Sequence, residues 1–312
     1  MYYPGKRSSC LLLTLLLLLS FFPSSGLAGN GYADLQMART LQEMEKDNNN
    51  RWIDVPGRGS MLYYAQTNPF WSGMRYEVAG SSTHRRFGDG GCCPTSAAIA
   101  FANLLPMTQL GQIRSHKAPR AEGYGISVSG LNPLNLLKHK GIWWLEYAED
   151  YQRYLPLVFA QYAAGNNANS RTWRLKSKGG GESAGGTSAA FIPELCAIYG
   201  LNYLKLPGRM NMDWLEPVKN GGIAVALANS QWHPFSKGSG HYVAIVGCDD
   251  EYVYIMDPQD KGKYDSDRNK LLEVIEPGFV RAKLSNFREL MFGMIYVITN
   301  PEVDARLALS QP

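Results

Sequence analysis

The chain has 312 residues, enough for one large domain or two small ones, and a formal net charge of +4. Lys6 and Arg7 supply half of that charge, so composition gives no electrostatic case for binding nucleic acid or an anionic surface. Five cysteines are far too few to staple a chain of this length. No CxxC spacing occurs, and adjacent Cys92 and Cys93 are badly placed to share one tetrahedral metal, which argues against structural zinc.

The chain opens with those two basic residues, an apolar run over residues 11–22, and Pro23-Ser24-Ser25-Gly26-Leu27-Ala28. This is the plan of a secretory signal peptide over residues 1–28, cleaved after Ala28; the run is short for a bilayer span. Cys10 leaves with it, and the remaining 284 residues carry a net charge of +2. No later stretch reads as a span, so a periplasmic or secreted protein without stable membrane insertion is expected. Residues 29–60 are polar and weakly amphipathic, an N-terminal arm or linker. A domain is expected over residues 61–300, with 301–312 as a C-terminal tail.

Within that domain, Met61-Leu62-Tyr63-Tyr64-Ala65-Gln66-Thr67-Asn68-Pro69-Phe70-Trp71 reads as a short strand running into a turn. Phe70 and Trp71 suit a core, whereas Gln66 offers amide donors at a strand end. Gly90-Gly91-Cys92-Cys93-Pro94-Thr95-Ser96 then starts a helix expected to run to about Leu105. Two glycines allow a tight approach, and Pro94 supplies a φ suited to the first turn. A thiol at that start meets unpaired backbone N–H groups and the positive end of the helix dipole, which favour thiolate.

Helical patterns follow at 131–139 and 154–164, around a buried Ile142-Trp143-Trp144-Leu145; the lone His116 and His139 have no chemical neighbours in sequence. Residues 164–187 are rich in Asn, Ser, Gly and Lys and read as a long flexible excursion. Helices are expected over 188–199, ending at Gly200, and over 212–219, ending at Asn220-Gly221-Gly222. Strands are expected over 223–228, 241–246, 252–256 and 293–298.

A thiolate nucleophile needs a general base, and the base needs a third group to hold its tautomer. His241 opens one of those strands and Asp257 closes the next. Side chains alternate along a strand, so the two share a face only in certain registers. A three-residue turn over 248–250 would pair Gly247 with Glu251 and set His241 directly opposite Asp257. Taken singly, these are a strand-end histidine and a turn acid. With a helix-start Cys92 they form the general plan of papain-like enzymes.

The sequence resembles the double-glycine, bacteriocin-processing type of cysteine peptidase and its secreted relatives. The resemblance lies in the segment from Tyr64 to Trp71, Gly91-Cys92-Cys93-Pro94-Thr95-Ser96, Asn220-Gly221-Gly222-Ile223-Ala224-Val225, Gly240-His241-Tyr242-Val243 with Gly247, and Val253-Tyr254-Ile255-Met256-Asp257-Pro258. It spans residues 61–258, and the strand near Ile295 also fits. It implies Cys92 as nucleophile, His241 as general base and then acid, Asp257 as the orienting group, and Gln66 as a side-chain donor to the oxyanion beside the Cys92 backbone N–H. Two departures stand out: Cys93 occupies a position that is usually glycine, and Gln66 lies 26 residues before Cys92.

The expected fold is therefore α+β and papain-like, a helical half headed by Cys92 packed on a mostly antiparallel sheet that carries His241 and Asp257. The expected function is hydrolysis of peptide bonds in a peptide or protein substrate through a thioester acyl-enzyme, with no metal or organic cofactor. The same triad also serves an acyltransferase or a cell-wall amidase, and the same fold a non-catalytic peptide-binding module; an intact triad weighs against the last. With Cys92 kept as a thiol, at most one disulfide is open to Cys93, Cys196 and Cys248. A Cys92–Cys93 disulfide would be an oxidised, inactive form.

Overall fold

A computed structural model describes residues 50–72, 74–76, 86–110, 126–128, 148–165, 187, 189–208, 211–228, 233–235, 240–262, 264 and 270–310, all within the unit Asp47–Pro312. The expected signal peptide, the patterns at 131–139 and 142–145, His116, His139 and residues 166–186 of the excursion expected over 164–187 lie outside the described residues, while residues 164–165 belong to a helix instead.

Arg51–Val55, assigned from sequence to the polar arm, is the first strand, β1, and pairs antiparallel with β2, Gly59–Tyr63. Ile53 and Val55 alternate with exposed Trp52 and Asp54 and are buried, so a half-buried hairpin forms where overall polarity hid the alternation. A helical turn, α1 at Pro69–Ser72, follows; β3 at Met74–Tyr76 later pairs with β4 at Ile126–Val128. Then come α2 at Phe87–Gly90 and α3 at Cys92–Leu104.

All of α3 is buried except Asn103, which fits its small and apolar composition all round. Asn103 completes the edge of β2: its amide accepts from Leu62 N at 2.8 Å and donates to Leu62 O at 2.9 Å. Around Phe101, Phe159 and Tyr199 pack edge-on with centroids at 5.1 and 5.6 Å, contacts worth about 1 kcal/mol each beyond burial. Phe159 comes from α4, Ala148–Gly165, which bends at Tyr154 ahead of Pro156 because proline removes a helix hydrogen bond and crowds the preceding turn. Tyr199 ends α5, Ile192–Tyr199, where Gly200 adopts φ 68 in the left-handed cap.

The second half is a seven-stranded sheet. Its members are β5 at Asn202–Pro207, β6 at Ile223–Ala228, β7 at His241–Cys248, β8 at Tyr252–Met256, β9 at Glu273–Glu276, β10 at Phe279–Lys283 and β11 at Phe292–Thr299. Their order is β5-β11-β6-β7-β8-β10-β9, and every pairing is antiparallel. The fold is therefore α+β, helices with a large antiparallel sheet. Two helices complete it: α6 at Leu215–Lys219, shorter than the sequence pattern at 212–219, and α7 at Pro301–Ser310, within the expected tail.

One core cluster joins Val243, Ile245, Val253 and Ile255 of the central strands to Trp214, Phe235, Phe287 and Phe292. Tyr242 and Tyr296 alternate with members of that cluster and so point to the other sheet face, where both lie near Cys93 of α3. The start of α3 is thus brought to the beginning of β7. The hairpin turn is fastened to the sheet half by Arg58, which donates to the carbonyls of Val218 at 3.2 Å, Gly222 at 2.9 Å and Gly221 at 2.6 Å, at the C-terminal end of α6.

The β7–β8 register differs from the sequence expectation. Cys248 faces Val253 and Gly247 faces Tyr254, whereas Ile245 faces Ile255 and Ala244 faces Met256. The shift leaves Val246 as a bulged extra residue. Asp249 N donates to Tyr252 O at 3.0 Å, so the turn proper is Asp250-Glu251 rather than residues 248–250. Without the bulge, Asp257 would project to the face opposite His241. With it, extending the ladder one residue sets Asp257 opposite Val243, one diagonal step from His241 on the same face.

Candidate active site

Gly91 closes the approach to α3. A Cβ there would lie 2.6 Å from the Phe87 ring and 2.7 Å from the Phe87 carbonyl, and Gly91 N donates to that same carbonyl. Only glycine admits so close a turn, which delivers Cys92 to the first helical position, and Thr95 Oγ1 donates to Gly91 O at 2.7 Å. Cys92 retains 6% exposure and Cys93 none. Cys92, Cys93, Cys196 and Cys248 are all free thiols.

His241 opens β7 opposite Ala228 of β6, a neighbour too small to crowd the ring. Its Nε2 lies 2.6 Å from Asp257 Oδ1, with side chains 2% and 0% exposed. Cys92 acts on the same ring by hydrogen bond and by charge. With Nε2 taken by the carboxylate, Nδ1 is the ring nitrogen left for the thiol, and a carboxylate on Nε2 favours the neutral tautomer protonated at Nε2. The structure thus brings Cys92, His241 and Asp257 together.

The charges are mutually supporting. Burial disfavours the imidazolium, but the charge and hydrogen bond of Asp257, and then those of Cys92, outweigh it and raise the His241 pKa from 6.5 to about 9. Burial likewise opposes ionisation of Asp257; the charge and hydrogen bond of His241, the Gln259 N–H and the Tyr264 hydroxyl overcome it and lower its pKa below the usual carboxylate value. Asp257 Oδ1 accepts from Gln259 N at 2.9 Å, and Oδ2 accepts from Tyr264 Oη at 2.7 Å. Burial pushes the Cys93 thiol well up, and the Cys92 charge pushes it further.

The backbone of Asp257 is equally fixed. Its N–H donates to Gly278 O at 2.7 Å and its carbonyl accepts from Tyr63 Oη at 2.7 Å. Gly278 has φ 73, and a Cβ on it would overlap the Tyr63 hydroxyl, so this position needs glycine both for conformation and for space.

Gln66 is fully buried between the segment leading into Cys92 and the turn after Asp257. Its Nε2 donates to Gly88 O at 2.6 Å, its backbone N–H donates to Pro258 O at 2.6 Å, and its Oε1 has no hydrogen-bond partner. Trp71 is buried, with Nε1 donating to Ala65 O at 2.7 Å. Sequence reasoning missed Phe235, whose ring centroid lies 6.4 Å from that of His241 and 6.5 Å from that of Tyr264. It also missed Tyr264 itself, since a tyrosine seven residues past an aspartate carries no pattern.

Among the described residues there is no cluster of three or more His, Cys, Asp or Glu suited to a metal ion, and no helix is long and apolar enough to cross a membrane. No family model matches the chain and no curated protein matches it. Among solved structures the chain is similar to the Carica candamarcensis cysteine protease CMS1MS2, crystallised in complex with E-64. Identity is 13%, the match covers 73% of this chain and 94% of that chain, and the TM-score is 0.27.

Proposed function

We propose that this protein is an exported, papain-like cysteine peptidase of the double-glycine-processing kind, in which Cys92, His241 and Asp257 are the catalytic triad. The observation that carries the reading is the buried His241–Asp257 pair at 2.6 Å with Cys92 against the same imidazole at a helix start. A strand-end histidine with no role has no need of a buried carboxylate on one nitrogen and a thiol on the other.

In the proposed cycle His241 Nδ1 takes the Cys92 proton, and the thiolate attacks the scissile carbonyl carbon. The oxyanion is met by the Cys92 backbone N–H, which has no partner within the helix, and by the second hydrogen of the Gln66 amide, whose first goes to Gly88 O. His241 passes its proton to the leaving amine, then activates the water that hydrolyses the thioester. Asp257 holds the ring and its charge throughout. The basic start and apolar run of the chain support action outside the cytoplasm.

The test is alkylation of the reduced full chain by limiting iodoacetamide across pH 4 to 9, read by peptide mapping. Cys92 should react fastest below pH 7, lose that advantage in His241→Ala, and keep it in Cys93→Ala. Reaction of Cys92 no faster than that of Cys248 would remove the proposal.

A further inference from the structure

Asp257 is held by more than its histidine. Its Oδ2 is taken at 2.7 Å by the hydroxyl of Tyr264, a buried side chain from the loop that follows β8. Tyr264 is itself fixed by edge contact with Phe235 at 6.5 Å and by Lys261 Nζ, 5.6 Å above its ring. Lys261 Nζ also donates to Phe235 O at 2.7 Å, and Phe235 borders His241. A closed circuit therefore runs from His241 to Asp257, Tyr264, Phe235 and back.

We propose that Tyr264 is a fourth, positioning member of the active site: its hydroxyl occupies Oδ2 so that the carboxylate stays ionised and presents Oδ1 to His241 Nε2. The inference rests on the triad reading above. A carboxylate can exchange its oxygens by rotation about its terminal bond. With Oδ2 engaged by Tyr264 and Oδ1 shared by His241 Nε2 and Gln259 N–H, every acceptor direction used is tied to a fixed donor. The hydroxyl keeps its proton, because burial first and the Asp257 charge second push its ionisation far upward, so it acts as a donor throughout the working range. The charged and titratable groups that face this arrangement are His241 from β7, Tyr63 from β2, and Asp260 and Lys261 from the loop itself.

Tyr264→Phe keeps the ring against Phe235 and removes only the donor. A hydrogen bond to the charged form lowers a carboxylate pKa, so its loss raises that of Asp257, and the imidazolium loses its partner at a higher pH. The acid-side midpoint of His241-dependent Cys92 alkylation should therefore move up by about one pH unit, a roughly 10-fold loss of rate at a fixed pH below the midpoint. In an Asp257→Asn background the same change should produce no shift. Incorporating 2,3-difluorotyrosine at position 264, a stronger donor of nearly the same shape, should move the midpoint down, and it serves if the phenylalanine variant fails to fold. If wild-type Cys92 shows fast, His241-dependent alkylation while both position-264 changes leave the midpoint where it was, the positioning role is overturned and the triad stands. If the wild type shows no such reactivity, the triad reading itself falls, and the Tyr264 inference with it.

Discussion

Replacing Asp257 by Asn probes the electrostatics of the site with little change of shape. The amide fills the same volume, can still present oxygen to His241 Nε2, and can turn its NH2 toward the Tyr264 oxygen, whose hydroxyl is free to rotate. What disappears is the negative charge that outweighs burial at His241. In a Cys92→Ser background, which also removes the smaller help that Cys92 gives the imidazolium, burial is dominant and the His241 pKa should fall from about 9 to below its ordinary 6.5. At pH 7.5 the imidazolium share should drop from about 97% to under about 10%. That displacement corresponds to on the order of 3 kcal/mol, close to the ~3–5 kcal/mol typical of breaking a buried ion pair. The assay is a histidine NMR titration of wild type and variant, with His241→Ala to assign the resonance and urea unfolding at pH 6 to read stability. A His241 signal that still titrates near 9 in Asp257→Asn with Cys92→Ser would refute the reasoning, because Asp257 and Cys92 are the groups that hold the proton on that ring.

Three further outcomes follow from the same geometry. Gly278→Ala must place a side chain at φ 73 and against the Tyr63 hydroxyl; it should cost about 2 kcal/mol or more in chemical unfolding and slow Cys92 alkylation by displacing the Tyr63 bond to Asp257 O, and a neutral result would mean the turn is not held as described. Arg58→Ala removes hydrogen bonds to three carbonyls at the end of α6; a loss of about 1–3 kcal/mol is expected, with the pH profile of Cys92 alkylation unchanged, and a moved profile would show coupling to the site. For stability against pH, His241 has a folded pKa of about 9 against 6.5 unfolded, so its contribution is complete below pH 6.5 and lost as pH rises through 9. Asp257, lowered from 3.8, contributes above that value and loses its contribution as pH falls through its folded pKa. Urea midpoints should therefore be highest between about pH 4 and 6.5 and decline toward pH 9.5; constant midpoints from pH 6.5 to 9.5 would contradict the His241 assignment.

Where one physical signal dominated, the sequence was legible. The helix start at Gly91-Cys92 combines close backbone approach with a first-turn proline, and α3 ends within a residue of the expected position. The apolar runs of β6 and β8 match their expected bounds, with β7 and β11 slightly longer. β5 escaped notice because it is a mostly exposed edge strand, with Tyr203, Leu204 and Lys205 facing out and no clean alternation. β9 and β10 were hidden by charged positions such as Glu273 and Arg281, which pair across the two strands at 2.7 and 2.8 Å. The bulge at Val246 was unreadable for a different reason. Every residue from His241 to Gly247 is buried, so hydrophobicity carries no parity that could mark an extra residue, and without a bulge only a three-residue turn sets His241 and Asp257 on one face. The face was right, and the device that achieves it is the bulge. Tyr264 and Phe235 reach the site through loops, where tertiary packing alone decides the neighbours.

The central claim is peptide-bond hydrolysis by the Cys92 thiolate, and its most direct test is product analysis. A diverse peptide mixture would be incubated with the reduced full chain, with Cys92→Ala and with His241→Ala, and new termini read by mass spectrometry. Wild type should produce new amino termini that are absent from both variants, with a thioester adduct on Cys92 captured at low pH. Cleavage that persists in Cys92→Ala, or a wild type that alkylates rapidly at Cys92 yet releases no new termini from any peptide, would contradict it.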